Sequence, residues 1–170
     1  AQAFSVDDSA TTEIDDALSV QGLGSGTVVL GIHIAAPGLA ITPDSALDKV
    51  ARERLSTVYM PGWKLTMLPD AVVQAYTLMA GADCPAVSLY VSFDEATLAV
   101  KGSETKLERV RIVTNLRHDQ LDTVISENWL TDGASPGDAA PEIAALQPTL
   151  ALIFRLARHL KGLREKVRGK

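Results

Sequence analysis

Apolar positions along this chain recur with two different periods, and the switches between them divide it into elements. Residues 17–20 and 27–35 (TVVLGIHIA) are apolar and β-branched, with QGLGSG between them, which predicts strand, turn and strand. Gly22, Gly24 and Gly26 invite a phosphate-loop reading. Such a loop opens a helix, however, and here a β-branched strand follows, so a hairpin turn is expected. ITPDSALDKVARERLSTVY then begins with Pro-Asp-Ser and carries Leu47, Val50, Ala51, Arg54 and Leu55 at helical spacing. It predicts one exposed helix of about three to four turns. MPGWKLTMLPDAVVQAYTLMAG reads as a proline-bounded loop running into a short helix. Alternation over 86–93 and 108–113 predicts paired strands around 94–103, and a helix is expected over 118–128. Residues 131–141 (TDGASPGDAAP) read as a turn-rich internal linker. A last helix over 148–168 places Leu150, Ile153, Phe154, Ala157, Leu160 and Leu163 along one face, and no strand follows to cover it. The expectation is an α+β fold, a mixed and mostly antiparallel sheet with helices packed around it, continuing into a larger domain.

Composition narrows the class. At 170 residues, 46% hydrophobic and 22% charged, the chain matches an ordinary globular domain with one sizeable core. No apolar run approaches the roughly 18 residues of a membrane span, and AQAFSVDD has no signal-peptide pattern, so a cytoplasmic protein without a membrane partner is expected. A single cysteine, Cys84, excludes an internal disulfide framework and a cysteine-based zinc site, and nothing beside it marks a nucleophile. The net charge of −5 is opposite to that of a domain that grips nucleic acid with its whole surface.

Against that background the stretch FSVDDSATTEIDDAL stands out: Asp7, Asp8, Glu13, Asp15 and Asp16 occur with no Lys or Arg among them. If a strand ends near Asp8 and a turn precedes the next, Asp7 and the Glu13, Asp15 and Asp16 group converge. Carboxylates held close raise one another's pKa unless a cation intervenes or a proton is shared. Magnesium suits such an all-oxygen site, whereas the acid spacing does not match a calcium EF-hand loop. An acidic surface turn with capping roles satisfies the spacing equally well.

The run VDDSATTEIDDAL resembles the opening motif of the ribonuclease II and ribonuclease R catalytic domain, roughly I-D-x-x-x-T-x-D-x-D-D-A-L. In the same order, GIHIAAP is similar to V-H-I-A-D-P, ALDKVARERLSTVYMPG to S-x-L-D-x-x-A-x-x-R-x-x-S-x-Y-L-P-G, and LTMLPDAV to I-P-M-L-P. The resemblance covers nearly all of residues 1–170 but only about the first half of a family catalytic domain. It implies a magnesium-dependent exoribonuclease that degrades single-stranded RNA from its 3′ end to 5′-monophosphates, with one or two metal ions, manganese as a substitute, and no organic cofactor. By position, Asp7, Glu13, Asp15 and Asp16 would hold the metal, Asp15 and Asp16 would be the catalytic pair, and Tyr59 would contact the terminal RNA nucleotides. Asp8 falls at a variable family position.

Other candidates have plainer readings. His33, inside an apolar strand without a partner at metal spacing, reads as a satisfied core or near-site histidine rather than a ligand, and His118 and His159 as solvated helix residues. Trp63 reads as a loop anchor packed on the domain in preference to a second stacking surface, and the basic run from Lys161 to Lys170 as a solvated helix face in preference to an RNA-backbone contact. Glu13 stands where the family pattern has aspartate, and Ala36 where V-H-I-A-D-P has its aspartate. The family's later arginine-bearing segment and its flanking β-barrel RNA-binding modules lie outside this sequence. These departures leave an alternative: a non-catalytic member of the same family that binds RNA or a protein.

Overall fold

In the computed structural model, which describes residues 2–133 and 139–169, the long strands bury side chains on two sides, in two cores. In β2 (Asp16–Gln21), Ala17 and Ser19 are buried on one side, while Leu18 and Val20 pack on the other. The same two-sided burial runs through β1 (Gln2–Asp7), β3 (Thr27–Ala35), β6 (Asp83–Asp94) and the second half of β7 (Val100–Arg117), whose residues 100–107 are exposed. Before β6 the chain forms α1 (Ala46–Arg54), the short hairpin β4 (Val58–Met60) and β5 (Trp63–Leu65), and α2 (Asp70–Tyr76). After β7 come α3 (His118–Asp122), α4 (Glu127–Asp132), α5 (Pro141–Ala145) and α6 (Gln147–Val167).

The five long strands close into a barrel in the order β1-β2-β3-β6-β7. All neighbours are antiparallel except β1 and β7, which run parallel from Gln2 opposite Arg111 to Asp7 opposite Arg117. The α+β class and the mostly antiparallel sheet expected from the sequence are therefore present. Closure is the added feature: alternation predicts which residues turn inward, not that the first strand returns to the last. A barrel this narrow takes small side chains, and Ala3, Ala17 and Ala86 meet Val110 and Ile112 inside it. Outside, Val28, Leu30 and Phe93 pack on Leu152 and Leu156 of α6, while Phe4 and Leu116 pack on Leu121, Trp129 and Ile143. Among the described residues no helix is long and apolar enough to cross a membrane.

Several local expectations need correction. The exposed helix ends sooner than its apolar spacing suggests, because Leu55 adopts φ 64 and caps α1 after nine residues. The helix expected over 118–128 is two short helices, since Ser126 takes an extended conformation and caps α4 by accepting from Trp129 N at 3.1 Å. MPGWKL is a hairpin rather than a loop. The paired strands are longer than expected, leaving a tight turn between Asp94 and Val100. In α6 the buried positions are Leu152 and Leu156, whereas Leu160 and Leu163 are exposed, so the packed stripe lies beside the one the spacing selected. Of the stretch expected to be a linker, Thr131 and Asp132 belong to α4, Pro141 opens α5, and residues 134–138 lie outside those described.

Candidate functional site

The acidic stretch is fixed by the one apolar residue in its middle. Ile14 is fully buried and joins the barrel core with Leu78. Its N–H donates to Thr77 Oγ1 at 2.8 Å, and its carbonyl accepts from Leu78 N at 2.9 Å. With Ile14 turned inward, Glu13 and Asp15 on either side are turned toward the rim. The carbonyl of Asp15 accepts from Ala35 N at 2.8 Å, and Asp16 then starts β2 opposite Ile34. Upstream, Arg117 donates to the carbonyls of Asp8 and Thr11 at 2.9 and 3.2 Å and so holds the connecting loop against β7. Asp7, at the end of β1, accepts from Ser5 Oγ at 2.5 Å, and Asn115 Nδ2 donates to that oxygen at 2.9 Å. The fold thus brings Asp7, Glu13, Asp15 and Asp16 to one end of the barrel.

Their surroundings differ. Glu13 is paired with Lys64 of β5, Nζ to Oε1 at 2.7 Å, and Thr57 Oγ1 donates to its other oxygen at 3.4 Å. Among the described residues nothing donates to the side chains of Asp15 or Asp16. Although Asp15 is exposed overall, partial desolvation of its carboxylate raises its pKa; the charges of Glu13, Asp16 and Asp7 raise it further, and only Lys64 opposes them. Among the described residues no three His, Cys, Asp or Glu side chains are gathered tightly enough to hold a metal ion as they stand. Asp7, Asp15 and Asp16 are therefore neighbouring, mutually repelling charges rather than a finished coordination shell. The donor chemistry, all carboxylate oxygen with like charge only partly offset by Lys64, fits a hard divalent cation. Glu13 fits less well, because a cation of the protein already holds it.

Beside the acids lies a cleft of about 360 Å³, lined by Glu13 and Asp15 at one wall and by Pro37, Tyr59, Met67, Val73 and Tyr76 elsewhere. Tyr59 stands on the β4–β5 hairpin directly opposite Lys64 and is 71% exposed. Trp63, expected to be a packed anchor, is instead 60% exposed and borders a groove with Tyr59, Thr12 and Glu13. The hairpin was missed because its strands are three residues each and mostly exposed, so no apolar alternation marks them. Lys64 was missed because it lies 51 positions from Glu13.

The remaining candidates are occupied internally. His33 is fully buried, with Nε2 2.8 Å from Ser19 Oγ and Nδ1 2.7 Å from Ser88 Oγ; burial lowers its pKa, which keeps the ring neutral. The glycine turn does gather an anion, but the anion is the protein's own Glu95, which accepts from Gly24 N at 2.8 Å and Gly26 N at 3.0 Å. Cys84 is buried within the barrel core.

Comparison with known proteins follows the same outline. The family model described as "RNB domain" matches residues 1–169. Exoribonuclease 2 of Vibrio cholerae is 36% identical over 131 residues, covering 73% of this chain and 19% of that relative. The chain therefore spans about a fifth of that relative's length. Mycoplasma genitalium RNase R, solved in complex with ribose-methylated single-stranded RNA, superposes with a TM-score of 0.75 at 22% identity, covering 96% of this chain and 24% of that one. Yeast Ssd1, described as a pseudonuclease, gives a TM-score of 0.66 at 27% identity over 81% of this chain and 16% of that one.

Proposed function

Because this chain belongs to the RNB domain family, we propose that it is the acid-bearing part of an exoribonuclease that hydrolyses single-stranded RNA from the 3′ end and releases 5′-monophosphates. The observation that carries this reading is the juxtaposition of Asp7, Asp15 and Asp16, none of which is ion-paired among the described residues, with an apolar cleft that Tyr59 borders. Magnesium is the proposed cofactor, held by Asp7, Asp15 and Asp16. When bound, it supplies activation of water and stabilisation of the leaving oxygen.

The chain's own residues do the positioning. Ile14, through the Thr77 hydroxyl and the Leu78 backbone N–H, fixes the loop, so that Asp15 and Asp16 are held at the rim before binding. Ser5 and Asn115 orient the Asp7 carboxylate. Tyr59 offers an aromatic face to a terminal base, an interaction that tolerates any sequence. The apolar side chains of Pro37, Met67 and Val73 keep water from that side of the cleft.

One observation favours a second reading. Glu13 is engaged by Lys64 and Thr57, and a fold neighbour is described as a pseudonuclease, so a member that binds RNA without cleaving it is the alternative. The test uses full-length protein with magnesium on RNA labelled at its 5′ end, comparing the parent with Asp15→Asn. The expected result is a ladder shortening from the 3′ end, slowed about 10³-fold or more by the substitution. Intact RNA that both proteins still bind would replace the nuclease reading with the alternative.

A further inference from the structure

Among the four acids of the motif, Glu13 is the one whose charge the protein already answers. Lys64 Nζ lies 2.7 Å from Oε1, and the same ammonium donates to Thr12 Oγ1 at 2.9 Å, so two of its three donors are spent on this segment. Both partners are withdrawn from solvent, the Glu13 side chain to 10% exposure and Lys64 to 32%, which strengthens the pair relative to an open surface one. Neither is free to drift: Glu13 is tethered by Ile14, and Lys64 sits in β5 paired across to Tyr59. Glutamate here also reaches one methylene further than the aspartate of the family pattern, toward the hairpin that carries Lys64.

Resting on the metal reading above, we propose that Lys64 is a built-in cation that takes the place of a second divalent ion, so that the site of Asp7, Asp15 and Asp16 takes a single one. Lys64 is thus a positioning residue, acting through Glu13 and the field at the neighbouring carboxylates. A divalent ion at Glu13 would have to expel the ammonium or sit beside it, and like charges at that range repel.

The test counts ions rather than turnover. Metal-free full-length protein is titrated with manganese chloride while free Mn²⁺ is followed by its electron paramagnetic resonance signal, with far-ultraviolet circular dichroism recorded on every variant. The parent is expected to bind one ion per chain, Lys64→Met two, and Lys64→Arg, which keeps the charge, one. Glu13→Gln is expected to leave the count at one, as is Glu13→Gln combined with Lys64→Met. A parent that binds two ions, a Lys64→Met variant that stays at one, or a Glu13→Gln variant that loses its ion would each overturn the proposal while leaving the metal reading intact. A parent that binds none would overturn both.

Discussion

Two polar clusters meet along strand β2, and the fold treats them in opposite ways. Inside the barrel, Ser19 of β2, His33 of β3 and Ser88 of β6 satisfy one another, with Tyr90 edge-on to the imidazole at 5.6 Å and donating to Glu108 at 2.7 Å. Burial and that bond to Glu108 push the Tyr90 phenol up to about 12, and burial keeps His33 neutral. At the rim, where β2 begins, the side chains of Asp15 and Asp16 accept nothing from the described residues, and partial desolvation with repulsion raises Asp15. The interior cluster is closed chemistry whose value is structural. The rim is left open, and groups left open at a rim are available to a ligand.

The largest effect should come from disturbing the closed cluster. Gly31 leaves the space into which His33 and Ser19 meet, since a Cβ there would stand 2.7 Å from His33 Nε2 and closer still to Ser19 Oγ. Gly31→Ala should cost roughly 2–4 kcal/mol, combining overpacking with the loss of buried hydrogen bonds, measured by urea unfolding. An unchanged midpoint would mean that the interior is no more tightly specified than the rim, and the contrast would fail.

How much of this could be read in advance follows from the range of each interaction. The strands over 17–20 and 27–35 announce themselves by their apolar, β-branched runs, and the acids by their density in one short stretch, whereas Ile14 lies in what reads as a turn. The α+β class was legible for the same reason. Barrel closure was not, because the parallel pairing of Asp7 with Arg117 joins residues 110 positions apart. Lys64 has the same origin: a charge on an exposed three-residue strand shows no pattern of its own, and its role exists only once the hairpin folds over Glu13. For His33 the sequence leaves core and near-site readings open; the structure places it in the core, and its serine partners lie on two other strands.

A smaller effect, opposite in sign, should come from the rim. An acid whose pKa is raised in the folded state destabilises that state when ionised, so in metal-free protein Asp15 contributes most stability below its ordinary value of 3.8 and less as pH rises through the raised one. At neutral pH, Asp15→Asn should therefore raise the melting temperature of the full-length protein by about 1–3 °C. Magnesium should reverse the order by stabilising the parent selectively. His33 behaves differently: its lowered pKa means that stability is fully present above 6.5 and is lost as acidification forces a proton onto the buried ring. Calorimetry across pH 4–8 separates the two. An Asp15→Asn variant that melts below the parent without metal would show that the rim carboxylates are compensated after all.

The smallest change in stability should accompany a clear change in binding. Tyr59 is the most exposed of the aromatic side chains at the rim, and its hairpin partner Lys64 is held by contacts that do not involve the phenol ring. Tyr59→Ala should therefore shift folding stability by no more than about 0.5 kcal/mol. If the ring stacks on a terminal base, the same substitution should weaken single-stranded RNA binding by about 1–3 kcal/mol, roughly 5- to 150-fold. Measuring affinity in an Asp15→Asn background keeps the RNA intact during the titration. The dissociation of the two readouts is what matters, because a residue of the closed interior cannot be removed without the fold responding. Loss of stability together with affinity would make Tyr59 a packing residue and move the hairpin to the structural side of the contrast. Loss of affinity alone would place Tyr59 with Asp15, among groups whose exposure serves a partner.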